Sequence, residues 1–352
     1  MMTELSQIIS QIEPLNPAWL DQARERLDSL TKPRGSLGRM EELAARYVGI
    51  RGELLPPLEK KWVVVFAADH GVVAEGVSAY PQEVTYQMVL NFLRGGAGIN
   101  ALARHAGARV AVVDIGVNHD FGQMPDLIVR KVAYGSRNMA QEPALTREEA
   151  IQALLVGVEL AEQATASGMD AMAAGDMGIG NTTPAAALAS VFTGRPVAAV
   201  TGRGTGIEDK IFRHTIAVIN RALALHRVSA EDPVGALAAV GGLEIAGIAG
   251  LILGTAAARR PLMLDGFIAT AGALVAAALA PVVTDYLIAA HRSVEPGHQI
   301  MLDFLGLKPL FNLQMRLGEG TGAALGLNLL EAGVRIYREM ATFGEAGVAE
   351  KE

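Results

Sequence analysis

The chain contains no cysteine. Disulfides, thiolate metal ligands and cysteine nucleophiles are excluded, and the composition fits a cytoplasmic chain. Aromatic residues are scarce at 5% and charged residues modest at 19%. No basic run stands out and the formal net charge is −7, so a nucleic-acid partner is not expected. The stretch MMTELSQIISQIEPLNPAWL carries acids early and has neither a cationic start nor an apolar centre, so it does not read as a secretory signal. One run imitates a membrane span. Gly266–Val283, GFIATAGALVAAALAPVV, is uncharged and about long enough. It is mostly Ala and Gly, Asp265 abuts one end and Pro281 interrupts the other. A buried helix between two strands is expected there, and no membrane partner.

Apolar residues are plentiful, 51% of 352, and Ala and Gly supply many of them. Such a supply builds a large core in which helices lie close to a sheet. Residues 1–58 read as helical. NPAWLDQARERLDSL spaces apolar residues at helical intervals. TKPRGSLGRMEELAARYVGI gives a Pro/Gly turn and then a second helix, with Ser36 as its candidate cap. From Trp62 short apolar runs alternate with helical patterns, the mark of βαβ units. Strands are expected at 62–67, 110–114, 171–174, 197–200, 262–264 and 285–290, with an extra one at 127–132. Runs this apolar suit a parallel sheet buried on both faces. Beyond residue 300 the pattern turns helical again, with Ala323, Leu327, Leu330, Val334, Tyr337 and Ala341 on one stripe. The fold class is α/β: a Rossmann-like parallel sheet flanked by helices over 59–300, plus a small helical domain built from both termini, 1–58 and 301–352.

Acids, glycines and histidines recur just after these strands: Asp69-His70-Gly71, Asp114, Gly175-Asp176, Thr201-Gly202, Asp265-Gly266 and His291-Arg292-Ser293. Open α/β sheets bind ligands outside the carboxyl ends of their strands. In AAGDMGIGNTTPAAALAS (Ala173–Ser190), Gly178 and Gly180 let backbone N–H groups approach a ligand. Asn181, Thr182 and Thr183 add donors, and a helix from near Pro184 aims its positive end at the same place. Together they make an anion site. There is no lysine for a Walker A loop and no G-x-G-x-x-G spacing. The alternative is a tight strand–helix turn capped by threonine. TGRGTGIED (Thr201–Asp209) offers a second turn, with Gly202, Arg203, Gly204 and Thr205. Two such turns at strand ends suggest a phosphate and a sugar between them.

His70 has His291 and His298 as possible partners. No H-x-x-x-H or carboxylate cluster accompanies them, so no metal is expected and a loop-orienting network is the preferred role. Asp265 suits either ribose hydroxyls or a helix cap. Glu319 stands between Gly318 and Gly320 just before the last long helix. Flanking glycines bring a carboxylate into a crowded pocket, as a general base requires. The other reading is an exposed glutamate favoured by its own helix start.

Across nearly its whole length the chain resembles the nicotinate-nucleotide–dimethylbenzimidazole phosphoribosyltransferase family. The stretches that carry the resemblance, in family order, are TKPRGSLGRMEELA, AADHGVVAEGVSAYPQEVT, NFLRGGAGINALA, GDMGIGNTTPAAAL, TGRGTGI, GGLEIAGIAG, LDGFIATAGALVA, HRSVEPGH and RLGEGTGAALGLNLLEAG. The resemblance implies transfer of 5-phosphoribosyl from nicotinate mononucleotide to a benzimidazole, with Glu319 as base. It implies phosphate and ribose contacts from Asp176 to Thr182, Gly202 to Gly206, Asp265 and Ser293. It also implies a homodimer. No pyrophosphate leaves in this reaction, so no cofactor or magnesium is called for. The acceptor pocket is expected around Tyr80 and Met88. The chain departs from the family pattern in carrying Asp176 in place of a Glu and Thr215 in place of a Lys. Lys210 and Arg213 are the candidate replacements for that lysine. Two rival readings remain open here: the same fold using another acceptor such as adenine or a phenol, and a non-catalytic nucleotide-binding protein.

Overall fold

A computed structural model describes residues 1–204 and 208–349. Three helices come first: α1 (Met2–Ser10), α2 (Pro17–Ser29) and α3 (Arg39–Arg51). Asn16 caps α2, its side chain accepting from the Ala18 amide, with Pro17 at the first helical position. Ser36 does not cap α3; that place falls to Gly38, whose φ is 51°.

Strand β1 (Lys61–Ala68) follows, then a 3-10 turn at Gly71–Glu75 and helices α4 (Val84–Leu93) and α5 (Gly98–Ala106). Next come β2 (Ala108–Gly116), β3 (Leu127–Val129), α6 (Arg147–Ala166), β4 (Ala171–Met177) and α7 (Thr182–Thr193). The run at 197–200, expected as a strand, is instead a short helix, α8 (Val197–Val200). It follows Pro196, and its two valines are buried at i and i+3, the helical spacing. Helices α9 (Asp209–His226), α10 (Pro233–Val240) and α11 (Leu243–Ala257) lead to β5 (Leu262–Leu264). The membrane-like run forms α12 (Phe267–Leu279), buried through Ala276. No helix among the described residues is long and apolar enough to cross a membrane. Strand β6 (Leu287–Ala289) begins two residues later than the expected span, because Asp285 and Tyr286 belong to a 3-10 turn opened by Pro281. Helices α13 (Pro296–Phe304), α14 (Thr321–Glu339) and α15 (Phe343–Ala346) complete the chain.

The six strands form one parallel sheet in the order β3-β2-β1-β4-β5-β6. Neighbouring residues of β1 point to opposite faces. Val64 and Phe66 join a core that includes α6, α7, α11 and α12, while Val63 and Val65 join one that includes α5 and α14. The Ala/Gly richness has a direct use: a Cβ on Gly157 of α6 would overlap the Gly247 carbonyl of α11, and one on Gly250 the Leu154 carbonyl. These two helices therefore touch backbone to backbone.

The C-terminal helix packs on the early ones, with Tyr337 among Leu27, Leu30, Ala44 and Val48. Ala341 lies past its end and is exposed. Leu5 of α1 goes elsewhere, into the core that α6 and α11 share.

Candidate active site

The sheet order reverses between β1 and β4. That is the switch point where a crevice opens beyond the strand ends. Asp176 sits there, in register with Phe66 on β1. Its buried carboxylate accepts from Asn181 Nδ2 at 2.9 Å. Burial first, then the negative charges of Asp265, Glu244 and Glu319, hold this carboxyl well above the usual carboxylate range.

The turn bearing Glu319 lies across the end of β4. Gly318, Glu319 and Gly320 have φ of 82°, 63° and 86°, three left-handed residues in succession. Such a run in L-residues is costly outside glycine, which explains why glycine brackets the one side chain the turn presents. The Glu319 carboxylate is 6% exposed and accepts from the Ile99 amide at 3.1 Å and from the Gly98 amide. It therefore faces the first turn of α5, not that of the helix following it. Burial outweighs these two amides, so the carboxyl is raised above its ordinary value and not lowered. The exposed-glutamate reading is overturned.

Asp265 fastens the same turn. Its Oδ2 accepts from the Gly320 amide at 3.2 Å and its Oδ1 from the Ala323 amide at 3.0 Å. It caps α14, with both oxygens already engaged by backbone donors. Burial pushes its carboxyl up to about 7 despite those amides.

The two glycine turns meet. Gly178–Thr182 and Thr201–Gly204, with Thr215, Val77 and Ser78, line a cleft of about 60 Å³. That volume suits a small anion and not a heterocycle. A Cβ on Gly204 would be in ordinary contact with Thr182, 3.4 Å from its Cγ2, so the two turns are neighbours. Helix α7 starts at Thr182, two residues before Pro184, with Asn181 at its cap position but turned toward Asp176. The Ile179 amide donates to Thr85 Oγ1 at 3.1 Å, tying the first turn to α4.

Arg203 pairs with Asp209 and lies over the Phe212 ring, 5.2 Å from its centroid. Thr205 lies outside the described residues. Thr215 is buried and donates to the Ile211 carbonyl at 2.9 Å, while Lys210 and Arg213 are exposed and absent from the cleft lining.

Ser293 is buried, its amide donating to His298 Nδ1 at 2.9 Å. His298 Nε2 stands 3.0 Å from Thr270 Oγ1, so both ring nitrogens are engaged, and burial pushes the imidazole down to about 3. His70 pairs instead with Glu244, Nε2 to Oε1 at 2.9 Å. Among the described residues no three His, Asp or Glu side chains converge as metal ligands. Met88 packs against the same apolar cluster as Met177, Phe121 and Met124, and Tyr80 is 50% exposed in the segment before α4.

Three contributors were not legible beforehand. The start of α5, which holds Glu319, was signalled only by the glycines of RGGAGIN. Glu244, in the first turn of α11, carried no signal beyond its place in GGLEIAGIAG. Glu295 packs its buried carboxylate so closely on the second glycine turn that a Cβ on Gly202 would overlap its Oε2; only Pro296 and Gly297 beside it hinted at a tight approach.

A family model described as Phosphoribosyltransferase matches residues 12–348. The nicotinate-nucleotide–dimethylbenzimidazole phosphoribosyltransferase of Geobacter sulfurreducens is 61% identical over 349 residues, covering 99% of this chain and 99% of that protein. The protein of the same name from Geotalea uraniireducens is 56% identical over 351 residues, covering all of both. The solved structure described as CobT from Thermus thermophilus superposes with a TM-score of 0.92 at 53% identity, covering 95% of this chain and 100% of that one.

Proposed function

This chain belongs to the nicotinate-nucleotide–dimethylbenzimidazole phosphoribosyltransferase family, and from that premise we infer that it moves the 5-phosphoribosyl group of nicotinate mononucleotide to 5,6-dimethylbenzimidazole or a related base. The products are α-ribazole 5′-phosphate and nicotinate. The observation that carries the residue assignment is the buried Glu319 carboxylate, brought to the switch point beside Asp176.

The chemistry follows from charge. Nicotinate is bonded to the sugar through a cationic pyridinium nitrogen, so the electron pair of the breaking C–N bond neutralises that nitrogen and no acid is needed. One nitrogen of the benzimidazole attacks C1′ from the opposite face, inverting β to α. As that bond forms, the N–H of its other nitrogen becomes acidic, and Glu319 takes the proton. A base whose carboxyl is raised above its ordinary value is a better acceptor for it. Asp176 is the carboxylate placed to favour both the cationic nucleotide and the oxocarbenium-like sugar. The 5′-phosphate sits in the cleft between the glycine turns, at the start of α7. Ser293 and Arg203 complete the nucleotide site in this reading, and Tyr80 and Met88 border the acceptor.

Two copies of the chain, working in the cytoplasm, belong to the same reading. A panel of dimethylbenzimidazole, benzimidazole, adenine and phenolic acceptors, with nicotinate mononucleotide as donor and mass spectrometry as readout, tests it. A folded protein that yields no α-linked nucleotide with any acceptor refutes it. Product with adenine or a phenol alone moves the acceptor assignment.

A further inference from the structure

Val77 and Ser78 form one wall of the cleft between the glycine turns, and Thr215 of α9 forms another. Helix α9 is loosely seated. Of its 18 residues Thr215, Val218, Ile219 and Ala222 are the buried ones, and Leu225 is 51% exposed. So little apolar burial leaves the helix's position to its polar contacts. These converge on Glu75, the last residue of the 3-10 turn after β1. Its Oε1 accepts from Asn138 Nδ2 at 2.7 Å and from Gln141 Nε2 at 3.3 Å, and its Oε2 pairs with Arg221 of α9. On His214, one residue before Thr215, Nε2 stands 2.7 Å from the Glu75 carbonyl oxygen. The Asn138 and Arg221 bonds hold the Glu75 carboxyl below its ordinary value, so it is an anion at neutral pH.

The 3-10 turn reaches the anion site twice. A Cβ on Gly180 would stand 2.6 Å from Val73 Cγ2, so the turn presses on the first glycine turn. At its other end Gly76 takes a left-handed φ of 73° and delivers the chain straight to Val77. We propose that Glu75, His214 and Arg221 are a clasp that sets the width of the phosphate cleft by fastening its Val77 wall to its Thr215 wall, which makes them positioning residues for the nucleotide. This rests on the transferase reading, with the 5′-phosphate in that cleft. Among the described residues the three stand outside the cleft lining, so they reach the phosphate only through the walls they join.

Charge and position make different demands on the pair. By charge alone, Glu75→Ala removes an anion and tightens phosphate binding, whereas Arg221→Ala removes a cation and loosens it. As a clasp, either loss frees the same walls. Both variants then loosen binding by roughly fivefold, and the double variant E75A/R221A by no more than one of them alone. His214→Ala loosens it in the same sense. The Arg221 side chain is 51% exposed, and an ion pair this open contributes little to folding, so unfolding midpoints should stay close to wild type.

Calorimetry on the folded protein, with nicotinate mononucleotide and with the riboside lacking the phosphate, tests the clasp. Weaker nucleotide binding in both E75A and R221A, non-additive in the double variant and with riboside binding unchanged, supports it. A general loosening of the fold would lower riboside affinity as well. Tighter nucleotide binding in E75A, additive effects or equal losses for the two ligands overturn it, as does a wild type that binds both ligands equally. If E75A does not fold, E75Q carries the same test of sign. Binding is measured without acceptor or turnover, so a protein that shows this pattern and yet makes no product refutes the transferase reading alone.

Discussion

The carbonyl group of Glu319 rests on Gly175. A Cβ at Gly175 would stand 2.5 Å from that oxygen and 2.6 Å from its carbon. These are backbone atoms, so no rotamer change relieves the contact. Gly175→Ala is expected to lose roughly 1–3 kcal/mol of stability by overpacking. It should also lower kcat about a hundredfold by displacing the base. Denaturant titration and steady-state turnover measure the two effects. Wild-type turnover would show that the turn's position does not matter.

Glu319→Gln keeps the shape of the side chain and removes its basicity. Turnover should fall by about 10²–10⁴-fold, while calorimetry finds nicotinate mononucleotide still bound. Because the base must be ionised, wild-type activity should decline as pH drops through a carboxyl raised above its ordinary 4.5. The residual activity of the variant should lack that limb. Unchanged turnover would remove Glu319 from the mechanism.

Asp265 links pH to stability. Its carboxyl is raised from 3.8 to about 7 on folding. Between those values the folded state holds a proton that the unfolded state has released. The stabilisation is thus complete below pH 3.8 and is lost as pH rises to about 7. Asp265→Asn should flatten this part of the stability–pH curve and weaken the cap on α14. Unfolding midpoints for both proteins across that window check it. An unchanged slope refutes the assignment.

Gly202→Ala drives a methyl group into the Glu295 carboxylate. Glu295 and the second glycine turn must then shift relative to each other, because Pro296 crowds the same position. Affinity for nicotinate mononucleotide should drop roughly tenfold, about 1.4 kcal/mol, while affinity for the riboside lacking the phosphate stays the same. Calorimetry with both ligands separates the outcomes. Equal losses would place the phosphate elsewhere.

What could be read from the sequence was mostly local. Runs such as WVVVFA and LML declare a buried parallel sheet, and the acids and glycines that follow them declare its working edge. Gly318 and Gly320 marked Glu319 as a side chain delivered by a special backbone. The failures are instructive. VAAV has the composition of a strand but only one turn's length, and packing against α7 and α13 settled it as helix. Asp265 was equally suited to sugar and to cap, because a strand-end acid looks the same whichever amides reach it. Those amides come from α14, more than fifty residues away. Glu244 was invisible for the same reason: its partner His70 lies on the other side of the sheet's switch point in the chain.

The turn that carries Glu319 is held by α5, by Asp265 and by the end of β4, yet it belongs to a segment near the C-terminus. During synthesis the glycine turns and their strands leave the ribosome well before it. The last long helix covers the face of the sheet that Val63 and Val65 present, so a chain cut short before it should lose that half of the core together with the turn that carries Glu319.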